Sequence, residues 1–309
     1  MKEIINYYYN FDCLEVEENN MYSSFKYCGD VFYFVFFNRT DEELEDIITI
    51  CNELKMKGIK VHSIILNRFN SYLTKIGDNK YLLLKLNCNK DEVNNFLDVC
   101  NNASIFKLNK VNSKLYRNNW GELWSKKIDY LEFQIKELGK DKKVIINSFS
   151  YYIGLAENAI SYVNKINKVI GISEYDKVTL SHRRIFFPNT VLNYLNPLSF
   201  IYDLEVRDVA EYLKMGFFSN EDSLLDLKTF LKIKKLTPYS YHMLYARLIY
   251  PSYYFDLYED VMNNNGDEEK IINIVNKVNE YEYFLKMAYQ EINQYTSLEK
   301  IDWIIKKEL

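Results

Sequence analysis

The sequence predicts an α+β protein in which a small, strand-rich N-terminal part precedes a larger, mainly helical C-terminal part. Short runs of β-branched and aromatic residues, separated by turn residues, fill the beginning of the chain. Long stretches with apolar residues at helical spacing follow. The 309 residues include only 9 glycines and 4 prolines, which favours long helices over an all-β fold. We therefore expect one unit at residues 1–87 and a second at residues 88–309, with a hinge at residues 87–90.

Five strands are predicted in the first unit. Residues 21–27 and 31–37 are rich in strand-forming side chains, and residues 28–30 (Cys-Gly-Asp) between them favour a tight turn, so these segments should form a hairpin. The remaining strands are predicted at residues 61–66, 71–76 and 80–86.

One helix is predicted among these strands. Thr40 and Glu43 have the spacing of a capping box, in which each side chain satisfies a backbone N–H that the first helical turn leaves unpaired. Apolar residues then recur at helical spacing from Leu44 to Leu54. Gly58 is expected to end the helix, because glycine adopts the left-handed conformation common after a last turn.

The second unit is predicted to be mainly helical. Pro251 should end one helix, since proline cannot continue the backbone hydrogen-bond pattern. Residues 263–267 form a predicted turn. The predicted helices lie at residues 91–100, 120–138, 147–164, 224–233, 241–249 and 268–294.

Composition excludes several classes of function. The formal net charge of −4 does not favour a nucleic-acid-binding surface. The chain has five scattered cysteines, no C-x-x-C pair and three histidines, so we expect no zinc site and reduced thiols. The longest apolar run, VFYFVFF, is too short to span a bilayer, and MKEIINYYYN lacks the apolar core of a signal peptide. We expect a soluble, cytoplasmic protein without membrane insertion.

The segment at residues 179–214 carries the residue types that indicate chemistry. Its sequence, TLSHRRIFFPNTVLNYLNPLSFIYDLEVRDVAEYLK, contains an apolar strand, a loop led by a histidine, an asparagine, a second apolar strand and Asp-x-x-x-x-Asp opening a helix. Kinase active-site segments have this layout. Phosphoryl transfer in them requires an aspartate that accepts the proton of the attacking hydroxyl, together with an asparagine and a second aspartate that hold metal ions.

The segment resembles the H-G-D-x-H-x-x-N and I-D-F/W motifs of small-molecule kinases of the aminoglycoside phosphotransferase and choline kinase type. In that resemblance His182 is the leading histidine, Arg184 stands at the position of the catalytic aspartate, and Asn189 is the metal-binding asparagine. The stretch FIYDLEVRDVAEYL is similar to one in spore coat kinases of the CotS type. Counting back from Asp203 in that register puts Asn196 at the position of the metal-binding aspartate.

The resemblance implies a two-lobed protein-kinase-like fold with a degenerate catalytic site. Arginine in place of aspartate inverts the charge where a base is needed, and asparagine in place of aspartate removes an anionic metal ligand. The strand before the first helix has no lysine, and no G-x-G-x-x-G or Walker motif occurs in the chain. We therefore expect no intact catalytic residues, no cofactor and no bound metal.

The other charged residues of the segment allow more than one interpretation. His182 ends an apolar strand, where a histidine is most often structural. The resemblance assigns Asp208 to the helix-opening aspartate that caps or pairs with the catalytic loop. We also hypothesise that arginines fill the former metal site by pairing with carboxylates: Arg183, Arg184 and Arg207 with Asp203, Glu205 or Asp208.

Three further stretches resemble the YutH-like spore coat proteins, a divergent branch of the same kinase-like superfamily. They are YSSFKYCGDVFYFVFFNRTDEELEDI, SYYIGLAENAISYV and YARLIYPSYYF, and they occur in the family's order. The second stretch places Glu157 and Asn158 in mid-helix. Either a catalytic role or buried polar anchoring between helices fits this position.

This resemblance implies a catalytically degenerate, kinase-like protein that binds other proteins in spore coat assembly. Its partners would be other spore coat proteins, and it would lie first in the mother-cell cytoplasm and then in the coat. Two alternatives stay open. One is an active but unorthodox small-molecule phosphotransferase with Asp203 or Glu205 as its base. The other is a ligand-sensing module in the former nucleotide cleft.

Overall fold

The computed structural model describes residues 1–12, 15–18, 22–87, 96, 100–101, 113–138, 141–185, 194–264 and 266–306. The chain divides into two compact units. The first comprises Met1–Asn94, Lys110–Tyr116 and Asn189–Phe200, and the second comprises Asn95–Asn109, Arg117–Pro188 and Ile201–Leu309. The boundary expected at residue 87 stays a prediction.

The first unit is built on an antiparallel sheet. Its strands are β1 (Glu17–Glu18), β2 (Tyr22–Tyr27), β3 (Asp30–Phe36), β4 (Ser63–Ile65), β5 (Thr74–Ile76) and β6 (Asn79–Lys85). They follow the order β1-β2-β3-β6-β4, and β5 pairs with β6. The predicted hairpin is confirmed by the pairing of β2 with β3. Cys28 (φ 50°) and Gly29 (φ 85°) turn the chain between them, as a two-residue hairpin loop with positive φ at both positions requires.

Strands β4 and β5 are shorter than predicted because Asn67 organises the loop between them. The Asn67 side-chain oxygen accepts hydrogen bonds from the backbone N–H groups of Phe69 (3.0 Å) and Ser71 (3.1 Å). Its amide nitrogen donates to the carbonyl of Leu73 at 3.0 Å. These bonds hold residues 71–73 in a loop, although their sequence favours a strand.

A helix that the sequence did not suggest, α1 (Lys2–Tyr9), covers one face of the sheet. Ile5 and Tyr9 are buried with the sheet residues Phe25, Phe34 and Leu83 in one apolar cluster. The three consecutive tyrosines in the segment hide its helical periodicity. This helix is recognised from its packing on the sheet, and not from a pattern of apolar residues in the sequence.

The predicted capping box is confirmed at α2 (Asp41–Met56). The backbone N–H of Glu43 donates to the Thr40 hydroxyl at 3.2 Å, and the backbone N–H of Thr40 donates to the Glu43 carboxylate at 3.3 Å. The buried face of the helix includes Leu44 and Leu54, as the periodicity predicts. Gly58 follows with φ 71°.

The second unit contains most of the helices and a two-stranded sheet. The strands are β7 (Val178–His182) and β8 (Phe200–Leu204), whose first residue, Phe200, closes the first unit. The helices are α3 (Trp120–Leu138), α4 (Lys143–Val169), α5 (Arg207–Phe218), α6 (Ser223–Ile233), α7 (Pro238–Ile249), α8 (Ser252–Asn264), α9 (Glu269–Asn276), α10 (Val278–Ile292) and α11 (Asp302–Ile305). None of the helices within the described ranges is both long enough and apolar enough to cross a membrane.

Two predictions in this unit need correction. The single helix expected at residues 268–294 is divided at Lys277, where φ −96° and ψ 10° leave the helical region. The Lys277 ammonium donates to the carbonyl of Phe218 at 3.3 Å, and neither proline nor glycine marks the break. Of the turn expected at residues 263–267, Asn263 and Asn264 belong to α8. Of the helix predicted at residues 91–100, only Phe96 and Cys100 lie within the described residues.

Candidate functional site

His182 ends β7 and is held by Asp208, in the first turn of α5. The Asp208 carboxylate accepts hydrogen bonds from the backbone N–H of His182 at 2.9 Å and from its Nδ1 at 2.7 Å. Both side chains are buried. A carboxylate in this position is favoured by the helix dipole. The pair therefore links the end of β7 to α5. The imidazole Nδ1 of His182 is used in this structural contact.

Asp203, on β8, is the centre of a second buried cluster. Its carboxylate accepts hydrogen bonds from the guanidinium groups of Arg207 (3.0 Å) and Arg247 (2.7 Å). The indole N–H of Trp120 (3.2 Å) and the backbone N–H of Leu204 (2.7 Å) donate to the same carboxylate. Four donors match the roughly four lone-pair sites of a carboxylate. Asp203 is thus saturated by the protein itself.

The two arginines of this cluster also stack on an aromatic ring. The guanidinium carbons of Arg207 and Arg247 lie 4.6 Å and 4.3 Å from the centroid of Trp120. Arg207 further donates to the backbone carbonyls of His182 (2.7 Å) and Arg183 (2.9 Å). The side chain of Arg207 therefore links β8 and the loop after β7 through fixed hydrogen bonds.

Arg184 has a partner that the sequence did not suggest. Its guanidinium forms a two-pronged ion pair with Asp256 on α8, with Nη2 2.7 Å from Oδ1 and Nε also donating to the carboxylate. The hypothesised pairing with Asp203, Glu205 or Asp208 is wrong for this arginine, because Asp256 supplies both acceptor oxygens. The pair fixes a cation at the position that the resemblance gives to a catalytic base.

Glu205 lies near Lys177. Its carboxylate is buried and lies 3.9 Å from the ammonium of Lys177. Of the pairings hypothesised for the three arginines, the one between Arg207 and Asp203 is present.

A buried network on α5 and α8 was not singled out from the sequence. The Lys214 ammonium donates to the Glu211 carboxylate at 2.9 Å and to the Ser252 hydroxyl at 2.6 Å. The Ser252 hydroxyl donates to the other Glu211 oxygen at 2.9 Å. Burial lowers the pKa of Lys214 to about 8, against the opposing effect of Glu211. Burial raises the pKa of Glu211, but Lys214, Arg184 and Arg207 outweigh it and lower that pKa to about 2.

The structure gives a contact for one of the two predicted metal-ligand positions, Asn189 and Asn196. Asn189 lies outside the described residues. Asn196 belongs to the first unit, where its side-chain oxygen accepts a hydrogen bond from the backbone N–H of Leu198 at 3.0 Å and caps a single 3-10 turn at Pro197–Ser199. In this structure Asn196 has a local backbone role.

Glu157 and Asn158 lie on α4, and one of the two interpretations for them is corrected. Glu157 is exposed and cannot be a buried anchor. Asn158 is half-buried; its amide donates to the carbonyl of Gly154 at 2.6 Å, and its oxygen lies 3.5 Å from the indole nitrogen of Trp303. Neither contact joins Asn158 to the Asp203 cluster.

Beside the Asp203 cluster, the second unit contains a cavity of about 310 Å³. Arginine and tryptophan side chains, including Arg183, Arg184 and Trp120, line much of it. Among the residues that the structure describes, no group of three or more histidine, cysteine, aspartate or glutamate side chains is placed to hold a metal ion. The site therefore offers positively charged hydrogen-bond donors next to aromatic rings.

The sequence did not lead us to five charged or aromatic residues of the ion-pair clusters. Arg247 offered a signal, because a lone charge in the apolar run LYARLIY indicates a buried ion pair. Lys214 interrupts an amphipathic helix in a similar way. Trp120 and Asp256 gave no such signal, because their partners are distant in the chain. Glu211 lies three residues from Lys214, but its second partner, Ser252, is 41 residues away.

The fold is that of known small-molecule kinases. An aminoglycoside phosphotransferase from Alicyclobacillus acidocaldarius superimposes with a TM-score of 0.56 at 9% identity, over 93% of this chain and 94% of the other. A spectinomycin phosphotransferase bound to AMP gives 0.58 at 11% identity, over 93% and 96% of the two chains. The predicted kinase-like fold of the aminoglycoside phosphotransferase and choline kinase type is confirmed. At these identities the likeness establishes the fold alone.

Sequence comparison identifies the family. The endospore coat-associated protein YutH of Bacillus subtilis is 30% identical over 211 residues, which cover 60% of this chain and 61% of the relative. The aligned part therefore spans about three fifths of that relative. The family described as "Spore coat putative kinase YutH" matches residues 2–288, and the chain belongs to this family.

Proposed function

We propose that this protein is a catalytically degenerate kinase-like protein, a pseudokinase, that binds other proteins during spore coat assembly. The loss of catalysis is supported by one observation, the Arg184–Asp256 ion pair. This pair fixes a cation where the resemblance expects the catalytic base. The coat role is supported by the family and by the coat association in the name of its Bacillus subtilis relative. On this proposal the protein acts in the mother-cell cytoplasm and then in the coat.

The chemistry of the cluster supports a loss of phosphoryl transfer. An arginine guanidinium stays protonated in proteins and has no acceptor, so Arg184 cannot accept a proton from a hydroxyl. Asp203, one of the two candidates for the base of an active phosphotransferase, already accepts four hydrogen bonds. Glu205, the other, is buried near Lys177. A general base must reach the reacting hydroxyl with a free lone pair.

An exposed aromatic patch in the first unit supports a binding role. Tyr7 and Phe69 are 54% and 58% exposed, and their ring centroids lie 6.3 Å apart. The guanidinium of Arg68 lies 4.6 Å and 5.2 Å from the two centroids. Tyrosine and arginine are enriched among the residues that dominate protein–protein binding. We take this patch as the first contact surface to test.

Complementation of a deletion strain of an endospore-forming bacterium tests the proposal. The double variant Asn189→Ala with Glu205→Gln removes a metal-ligand type and a candidate base, and we expect it to support a normal coat. The double variant Tyr7→Ser with Phe69→Ser removes the patch, and we expect it to impair coat assembly. Tyr175→Ser, at a tyrosine that is 75% exposed elsewhere, is the matched control.

The opposite pattern would contradict the proposal. If the first double variant fails while retaining its melting temperature, chemistry is required and the protein is an enzyme. If the patch variant supports a normal coat, the contact surface lies elsewhere.

A further inference from the structure

The cavity beside the Asp203 cluster has a strongly one-sided charge. Among the described residues, its lining carries six cationic side chains and a single carboxylate, Glu211. Such a lining attracts anions, because low-dielectric walls focus the field of like charges. The six cations are Arg117, Lys127, Arg183, Arg184, Arg207 and Arg247.

In the buried part of this lining, among the described residues, cations outnumber the carboxylates that pair with them. Asp203 is shared between Arg207 and Arg247. Asp256 pairs with Arg184, and Glu259 pairs with Lys127. The two oxygens of Glu211 are directed at Lys214 and Ser252, so this carboxylate is already neutralised by a further cation. Arg184, Arg207, Arg247 and Lys214 thus carry four positive charges beside three carboxylates, Asp203, Asp256 and Glu211, and this group keeps one positive charge next to the cavity.

Arg247 shows that the site is built into the fold. Its side chain is 2% exposed, lies between Asp203 and the face of Trp120, and lines the cavity. Within the described residues its buried Nε has no hydrogen-bond partner. Burial and the neighbouring Arg207 lower the pKa of Arg247, while Asp203 raises it. An arginine held in this way is rigid and under-compensated, which are the properties of an anion-binding group.

The walls of the cavity are aromatic and fixed. Trp124 stacks on Tyr250 with ring centroids 4.3 Å apart and an interplanar angle of 8°. Trp120 is held by its hydrogen bond to Asp203. Trp120 covers the buried guanidinium groups of Arg207 and Arg247, and hydrogen bonds between charged groups are stronger in such surroundings.

We propose that this cavity binds a small oxyanion that carries phosphate or carboxylate groups. The arginines would hold the anionic oxygens through paired N–H donors, and the indoles would contact the rest of the molecule. The volume is near the lower end of the 300–1,000 Å³ range of ligand pockets, which restricts the occupant to a small molecule. This site goes beyond the coat role and does not depend on it.

Tryptophan fluorescence provides a direct test. The chain has three tryptophans, of which Trp120 and Trp124 line the cavity and Trp303 does not. A Trp303→Phe protein therefore reports from the cavity. It is titrated with pyrophosphate and separately with citrate, with sodium chloride keeping the ionic strength constant. We expect a saturable fluorescence change and a matching rise in melting temperature with at least one of the two probes.

Variants decide whether the signal comes from this cavity. Arg117→Gln or Arg183→Gln should weaken binding about tenfold, as loss of one charge-assisted hydrogen bond does. Lys126→Gln removes the same charge from an exposed residue that does not line the cavity, and should leave binding within about twofold. Saturation by pyrophosphate alone identifies a phosphate ligand, and saturation by citrate alone identifies a carboxylate. No saturation by either, or an equal effect of Lys126→Gln, overturns the proposal.

Discussion

Asp203 and Asp208 lie on successive elements of the same unit, and their surroundings differ sharply. Asp208 serves one neighbour, His182, through two hydrogen bonds. Asp203 is divided among two arginines, an indole and a backbone amide. The Asp208 arrangement links a strand to a helix. The Asp203 arrangement uses all the hydrogen-bond acceptor sites of the carboxylate.

The difference separates the framework of the fold from its chemistry. The His182–Asp208 pair supports the kinase-like architecture and needs no substrate. The Asp203 cluster and the Arg184–Asp256 pair hold charged groups in fixed ion pairs, within the segment that resembles the part of a kinase that binds metal and accepts protons. On the proposed function, the fold is retained while charged groups of this segment contribute to its stability.

The largest expected effect is on the Asp203 cluster. Asp203→Asn keeps the shape but leaves Arg207 and Arg247 as buried cations without a counter-charge. We expect a loss of about 3–5 kcal/mol in the free energy of unfolding, measured by urea denaturation. Asp302→Asn, at a carboxylate that is 77% exposed, is the control and should change little. A loss below about 1 kcal/mol for Asp203→Asn would show that the cluster does not depend on this charge.

Glu211 should make stability depend on acidity. Its pKa is about 2 in the folded protein against an ordinary value of 4.5, so its contribution is present above pH 4.5 and is lost as the pH falls toward 2. The contribution is about 3 kcal/mol. Glu211→Gln should lower stability at pH 7 by about this amount and converge with the wild type near pH 2 in a series of urea titrations. A difference that stays constant with pH would refute the charge-based explanation.

The Asp208 pair should matter less than the Asp203 cluster. Asp208→Asn weakens two hydrogen bonds to His182 but leaves no buried arginine uncompensated. We expect a loss of about 2 kcal/mol, the scale of a hydrogen bond to a charged group. A loss equal to that of Asp203→Asn would remove the distinction between the two carboxylates.

The smallest effect is expected at Arg184. Both members of its ion pair with Asp256 are 36% exposed, so solvent screens much of the attraction. Arg184→Gln should lower the free energy of unfolding by less than about 1 kcal/mol and should not create kinase activity. A loss of several kcal/mol would mean that this pair, too, belongs to the structural framework.

Local patterns predicted most of the fold, and distant partners explain what was missed. The β2–β3 hairpin and the Thr40–Glu43 capping box were predicted because their determinants lie a few residues apart. The break at Lys277 was not predicted. The carbonyl that the Lys277 side chain contacts, that of Phe218, is 59 residues away in the chain. In the site, the sequence pointed to His182, Arg184, Asp203 and Asp208. Their partners Arg247 and Asp256, however, lie more than forty residues away from them in the chain and are brought close only by folding.

On the proposed function, this kinase-like site no longer uses magnesium and ATP. Thermal unfolding in ATP or ADP, each with and without magnesium, tests it, since a ligand at 100 times its dissociation constant stabilises the folded state by about 2.7 kcal/mol. We expect no magnesium-dependent rise in melting temperature. A rise without magnesium that Arg117→Gln abolishes would report the oxyanion cavity. A rise that requires magnesium and grows with nucleotide concentration would contradict the claim, and the protein would then be a kinase.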